Sequence, residues 1–218
     1  MSHGFSSQLW VEAGGIWRRI EANPFLAELR EGTLPLEKFR YYLAQDYLYL
    51  EGFARTVALA LAKAPDARNV DLLSRRVATP VERPMHQQLM PLVGMSVQDL
   101  ESETPSPTNL AYINHMLSSA SLGGLGVTAA ALLPCPWTYH EIGSTLGPVE
   151  HPVYSRWAEP YKDGFLGEST AAWRRFLDEE AAEAGPRERE AMRRAFMTSM
   201  RYEYLFWDMA YRQEEWPL

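Results

Sequence analysis

The chain has 218 residues, of which 46% are hydrophobic and 22% are charged, and its formal net charge is −7. This composition is typical of a globular protein and excludes a disordered one. The acidic balance and the lack of a long basic run argue against nucleic-acid binding. A single cysteine cannot form an internal disulfide, so we expect a reducing, cytoplasmic location. The N-terminal residues lack the pattern of a secretory signal, and runs such as 57–62 are too short to span a membrane.

Helical spacing of apolar residues dominates the first half of the chain. Proline at the start and glycine just past the end are helix boundary signals. The predicted helices here are 7–22, a short helix from Pro24 to Gly32, 36–64, and 66–93 with a break or kink at Pro80 and Pro84.

The second half continues the helical pattern after the linker Pro105-Ser106-Pro107, with Thr108 as a candidate cap. No alternating pattern of useful length predicts a strand, and no repeat or second domain is evident. We therefore expect one domain over residues 1–218 that folds as an all-α antiparallel bundle of seven or eight helices. The further predicted helices are 108–121, 127–146, 151–161, 169–184 and 186–212.

Two carboxylates occupy positions that the helical pattern assigns to the core. Asp46 lies between Leu43 and Leu50 in the long helix, and Glu203 lies between Met200 and Trp207 in the last helix. Burial of an unpaired carboxylate costs several kcal/mol, so such a residue is paired or takes part in chemistry. A structural hydrogen bond and a role in a functional site both remain open for either acid.

The only cysteine, Cys135, stands between Pro134 and Pro136 in a stretch that is otherwise helical. Proline inside a helix removes a backbone donor and clashes with the preceding turn, so we expect a break there. The thiol is then either an ordinary buried side chain or a nucleophile presented to a pocket.

Several tyrosines share helix faces with these residues. Tyr49 follows Asp46 by three positions, and Tyr139 follows Cys135 by four, so each pair lies about one turn apart. An aromatic stripe in a bundle is usually core, but a buried phenol needs a hydrogen-bond partner. Phenols, carboxylates and a thiol around one cavity would suit a flat, polar heteroaromatic ligand.

Five segments resemble, in order and spacing, the TenA family, also called thiaminase II. The resemblance spans nearly the whole chain and implies a haem-oxygenase-like helical bundle without haem or other cofactor, assembled as a homotetramer. The segments are Gln45-Asp46-Tyr47-Leu48-Tyr49, Pro107-Thr108 with Tyr112, His115 and Met116, Leu132-Leu133-Pro134-Cys135 with Trp137, Tyr139 and Glu141, His151-Pro152 with Tyr154, and Tyr202-Glu203-Tyr204 with Phe206, Trp207, Met209, Ala210 and Tyr211.

The resemblance also implies an activity, the hydrolysis of aminopyrimidines related to thiamin in thiamin salvage. Its substrates would be 4-amino-5-aminomethyl-2-methylpyrimidine, which gives the hydroxymethyl pyrimidine and ammonia, or thiamin itself. Cys135 matches the family nucleophile, Glu203 the proton donor, and Tyr49 the tyrosine that enhances the cysteine's nucleophilicity. The positions that match substrate-binding or pocket-lining residues are Asp46, Tyr139, Tyr112 and Tyr161.

Pro136, His140 and Leu48 depart from the residues that relatives can carry, so the substrate preference stays open.

Two other functions remain open on the same scaffold. A protein that only binds or senses a pyrimidine would not need both Cys135 and Glu203. A metal-dependent oxidase would need Glu and His ligands, but Glu82 and His86 form one pair without a second set. Haem is disfavoured because the helix 7–22 has no histidine for a proximal ligand. We therefore predict no metal, no nucleic-acid partner and no membrane association.

Overall fold

The chain is all-helical in the computed structural model, which describes residues 4–78 and 83–217; no strand occurs within those two ranges. The first helices are α1 (Phe5–Glu12), α2 (Gly14–Glu21), α3 (Pro24–Glu31), α4 (Leu36–Leu61), α5 (Ala67–Ala78), α6 (Arg83–Leu89), a 3-10 helix (Met90–Val93) and α7 (Val97–Glu101). The others are α8 (Pro107–Leu122), α9 (Leu125–Leu132), α10 (Pro134–Thr145), α11 (Pro152–Lys162), α12 (Gly167–Glu183) and α13 (Pro186–Arg212).

The all-α prediction is confirmed, but the prediction of seven or eight helices is wrong. The described ranges contain thirteen α-helices, because several predicted helices are interrupted. The predicted helix 7–22 is broken at Ala13, which was not expected, and 127–146 is broken at Leu133, which confirms the break expected at the prolines. Pro134 explains the second break, since its ring cannot continue α9 but fits the first position of α10.

Two helix starts show how local sequence sets the boundaries. Asn23 accepts a hydrogen bond from the Phe25 amide at 2.9 Å, and Gly32 ends α3 with a φ of 71°, as the pattern predicts. At α8 the predicted cap, Thr108, is wrong. Ser106 is the cap, because Pro107 already occupies the first helical position.

Helices α4 and α13 are the longest and pack against each other as well as against α8 and α9. Helix α8 packs closely against α4 at Gly52, where a Cβ atom would lie only 2.7 Å from the Ile113 side chain of α8. The inward face of α4 differs slightly from the prediction. Tyr49 is buried, whereas Leu50 is only half-buried, so the phenol and Asp46 face the core together.

The predicted helix 66–93 is observed as α5, α6 and the 3-10 helix. The expected break at Pro80, like Glu82 of the candidate metal pair, lies outside the described residues. Within the part of the chain that the structure describes, no helix is both long and apolar enough to cross a membrane.

Candidate active site

Four helices bring five of the seven predicted site residues to one buried cavity. Asp46 and Tyr49 come from α4, and each is less than 5% exposed. The space that the centre of a water molecule can occupy there is about 10 Å³, close to the minimum for one water. The side chains that line it are Asp46, Tyr49, Tyr112 of α8, Tyr139 of α10, and Glu203 and Phe206 of α13.

Glu203 is held by two hydroxyl groups. Glu203 lies on the same face of α13 as Met200 and Trp207, which are both fully buried, so its side chain points into the core. The Tyr112 hydroxyl donates to its Oε1 at 2.6 Å, and the Thr138 hydroxyl lies 2.8 Å from its Oε2. Burial raises the pKa of Glu203 from 4.5 to about 7, while the two hydrogen bonds oppose that rise and the charge of Asp46 adds to it. The carboxyl group is therefore able to give up or take a proton near neutral pH.

Cys135 lies in the first turn of α10 and is 7% exposed. It is not among the side chains that line the cavity, but it lies close enough to Tyr49 and Tyr112 to influence both electrostatically. Burial raises the pKa of Tyr49 well above its ordinary value, and the charge of a Cys135 thiolate raises it further. Tyr49 is therefore a neutral phenol beside the thiol, and its hydroxyl interacts with the Tyr112 hydroxyl without the alignment of a regular hydrogen bond.

Asp46 faces His86, which the sequence analysis considered only as part of a candidate metal pair. His86 of α6 is fully buried, and its Nε2 lies 2.9 Å from Asp46 Oδ2. The distance is that of a hydrogen bond, but the alignment is poor, and both atoms lack another partner in the described part of the chain. One carboxylate oxygen of Asp46 thus faces His86, while the side chain also borders the cavity.

The tyrosines around α10 form an aromatic wall. The Tyr139 hydroxyl lies 3.0 Å from the Tyr42 hydroxyl, which accepts from Trp157 Nε1 at 3.3 Å. Tyr161 packs behind Tyr139, with ring centroids 5.3 Å apart, and is not a lining residue of the cavity. Burial raises the pKa of Tyr139 well above its ordinary value, so this wall is neutral and presents hydroxyl groups.

Sequence reasoning missed three residues of the site. Thr138 and Phe206 each follow a predicted site residue by three positions, Cys135 and Glu203, so helical periodicity was a usable signal. No such signal exists for His86, which is forty positions from Asp46 and meets it only through the packing of α6 on α4.

No group of three or more His, Cys, Asp and Glu side chains that could hold a metal occurs among residues 4–78 and 83–217. A larger hollow of about 740 Å³ is open to solvent between α6 and α11. Its lining includes Gln88, Arg156 and Glu159, but no residue of the buried cavity. Its size does not make it the site, because the thiol, the phenols and the buried acids lie elsewhere.

The model of the TENA/THI-4/PQQC family matches residues 10–213. The chain belongs to this family. A relative from Halalkalibacterium halodurans, named aminopyrimidine aminohydrolase, is 35% identical over 97% of each chain.

The fold comparison agrees with the family assignment. A TenA homologue from P. horikoshii superposes with a TM-score of 0.87 at 30% identity, covering 96% of this chain and 99% of the other. A domain from Shewanella denitrificans described as having a haem-oxygenase-like fold superposes at 0.75 with 15% identity, covering 95% and 92%. The chain therefore has the haem-oxygenase-like fold that the sequence motifs predict.

Proposed function

We propose that this protein hydrolyses aminopyrimidines related to thiamin, with Cys135 as a covalent nucleophile. The observation that carries the proposal is the position of Glu203, a buried acid with a pKa of about 7, beside a neutral phenol and near the only thiol of the chain. The H. halodurans relative, which matches almost the entire chain, is named aminopyrimidine aminohydrolase. The proposal assigns aminopyrimidine hydrolysis to Cys135 and Glu203.

The first half of the reaction is addition. The Cys135 thiolate forms a bond to a ring carbon, and the proton of Glu203 goes to a ring nitrogen. The ring loses its aromaticity, so its electrons can expel the aminomethyl nitrogen, which is protonated to an ammonium near neutral pH, from the exocyclic methylene as ammonia. Covalent attack of this kind divides one difficult displacement into easier steps. Glu203 suits the role of proton donor because an acid with a pKa near 7 is still substantially protonated at neutral pH.

The second half reverses the addition. Water adds to the exposed methylene carbon and loses a proton to the solvent, which replaces the proton carried away by the ammonia. The carbon–sulfur bond then breaks, and the ring nitrogen returns its proton to the Glu203 carboxylate. The net change is aminomethyl pyrimidine plus water giving hydroxymethyl pyrimidine plus ammonia. No electron acceptor is required, and Cys135 and Glu203 supply the nucleophile and the proton, so we propose that the reaction needs no metal or cofactor.

Asp46 and the tyrosines would bind and orient the ring. An ionised Asp46 accepts a hydrogen bond from the amino group of the pyrimidine, while Tyr139 and Tyr112 offer hydroxyl groups at the wall of the cavity. Tyr161 would act through Tyr139, against which it packs. A pyrimidine is much larger than the water-sized space present, so binding must move some of these side chains apart.

Two further properties belong to the proposal. We expect a homotetramer in the cytoplasm, built from one domain per chain. Val11 and Leu122 are 80% and 90% exposed, and such apolar side chains are candidates for a subunit interface. Light scattering on the purified protein tests the assembly, with a mass four times that of the chain as the expected result.

Parallel turnover assays test the activity. Aminomethyl pyrimidine and thiamin are supplied at matched concentrations, ammonia is measured enzymatically, and the pyrimidine product is identified by mass spectrometry. We expect hydroxymethyl pyrimidine from at least one substrate, with ammonia released from the first. A melting temperature raised by the pyrimidine without any product would instead identify a binding protein and overturn the proposal.

A further inference from the structure

The Thr138 hydroxyl lies within hydrogen-bond distance of two acceptor oxygens, and it cannot donate to both at once. Its side chain is fully buried in α10. Oγ1 lies 2.8 Å from Glu203 Oε2 and 3.1 Å from the carbonyl oxygen of Cys135. Both are hydrogen-bond distances, but a hydroxyl group has only one proton to donate.

The conflict disappears when Glu203 is protonated. The Tyr112 hydroxyl donates to Oε1 at 2.6 Å, so the proton of the acid belongs on Oε2. Oε2 then donates to Thr138 Oγ1, and Thr138 donates to the Cys135 carbonyl oxygen. All three oxygen atoms have a partner in this arrangement. When Glu203 is ionised, rotation of the Thr138 hydroxyl lets it donate to the carboxylate instead.

We propose that Thr138 is a positioning residue for Glu203 that serves both of its protonation states. In the substrate-free protein it accepts from the acid and fixes the proton on Oε2. After transfer it donates to the carboxylate that is left. The inference rests on the proposed function, because Glu203 must cycle between these two states during turnover.

The surroundings of Glu203 make this second donor important. A buried carboxylate is stabilised chiefly by hydrogen bonds to its charged form, and Thr138 supplies one of the two present. Asp46 adds an unfavourable negative charge. The other titratable groups that interact with Glu203 are Tyr49 of α4, Tyr112 of α8 and Tyr139 of α10, all neutral phenols with raised pKa values.

The test compares Thr138→Val, which removes the hydroxyl at constant shape, with Thr138→Ser, which keeps it. Thr138→Ala replaces the valine variant if that variant does not fold. A hydrogen bond to a charged group is stronger than one to a neutral group, so its loss disfavours the carboxylate. We expect Thr138→Val to move the basic limb of the pH profile of kcat/KM upward by about one pH unit and to lower kcat about tenfold. KM should change little, and Thr138→Ser should keep the wild-type limb.

Thr128→Val is the matched control. Thr128 is also buried, and its hydroxyl donates to the carbonyl oxygen of Gly124, at the start of α9, and not to a carboxylate. It should leave the pH profile unchanged. A wild-type limb in Thr138→Val, or the same shift in Thr138→Ser as in Thr138→Val, would overturn the proposal.

A second measurement separates this inference from the proposed function. Infrared spectroscopy of the substrate-free protein follows the carbonyl stretch of protonated Glu203, assigned by its loss in Glu203→Gln. Its titration should move to higher pH in Thr138→Val and not in Thr138→Ser, whether or not the protein releases ammonia. An unmoved titration overturns the role of Thr138, whereas absent turnover with a moved titration overturns only the proposed function.

Discussion

Glu203→Gln provides a test of the buried acid that does not depend on turnover. Glutamine has the shape of protonated glutamate. Its amide oxygen can accept from Tyr112, and its amide nitrogen can donate to Thr138, which in turn donates to the Cys135 carbonyl oxygen. The variant should therefore fold like the wild type at low pH, where Glu203 is protonated in both the folded and the unfolded state.

The difference develops as the pH rises. The pKa of Glu203 is about 7 in the folded protein against 4.5 for an ordinary glutamate, so between these values the unfolded chain releases a proton that the folded chain keeps. Unfolding then becomes more favourable with each pH unit, and the effect is complete above about pH 7. A shift of about 2.5 units at 1.36 kcal/mol per unit corresponds to about 3 kcal/mol. Glutamine does not ionise, so Glu203→Gln does not lose this free energy of unfolding as the pH rises.

Urea unfolding of the wild type and the variant between about pH 4 and pH 8 measures the effect. The free energy of unfolding of Glu203→Gln, relative to wild type, should rise by about 3 kcal/mol across that range. Glu150→Gln, at an exposed position, is the control and should stay within about 0.5 kcal/mol. A relative stability that does not change with pH, or that falls as the pH rises, would refute the reasoning about Glu203.

Three further predictions concern its neighbours. Tyr112→Phe removes a donor to the Glu203 carboxylate, so the pKa of Glu203 should rise and the basic limb of kcat/KM should move to higher pH; an unmoved limb would count against the hydrogen bond. Asp46→Asn should raise KM for the aminomethyl pyrimidine about tenfold or more with a smaller change in kcat, and an unchanged KM would argue against contact with the amino group. His86→Gln should lower the free energy of unfolding by about 1–3 kcal/mol, because it disturbs the buried partner of Asp46; equal urea midpoints would show that the contact is not important for folding.

The sequence predicted the helical class because apolar residues recur at helical spacing through most of the chain. It also predicted the inward direction of Glu203, since a long regular helix keeps its register from Met200 to Trp207. The number of helices was wrong because interruptions such as the one at Ala13 depend on one or two residues. The break beside Pro134 was expected from the prolines, and there one helix ends and another begins with almost no gap.

The sequence did not predict which helices face each other around the cavity. Each helix fixes which residues share a face, as for Asp46 and Tyr49, but the spacing says nothing about which helix lies opposite. The contact of His86 with Asp46 depends on tertiary packing alone. Thr138 was overlooked because a threonine at core spacing is usually a packing residue. Its importance emerges only from its two short contacts.

Ammonia release by the wild type and by Cys135→Ser tests the central claim most directly. Cys135 is the only cysteine of the chain, so the variant removes the only thiol and alkylation of the wild type has a single cysteine target. We expect the wild type to convert the aminomethyl pyrimidine, Cys135→Ser to lose nearly all turnover while still binding the pyrimidine, and alkylation to inactivate with one adduct per chain. Wild-type-like ammonia release by Cys135→Ser would contradict covalent catalysis at Cys135.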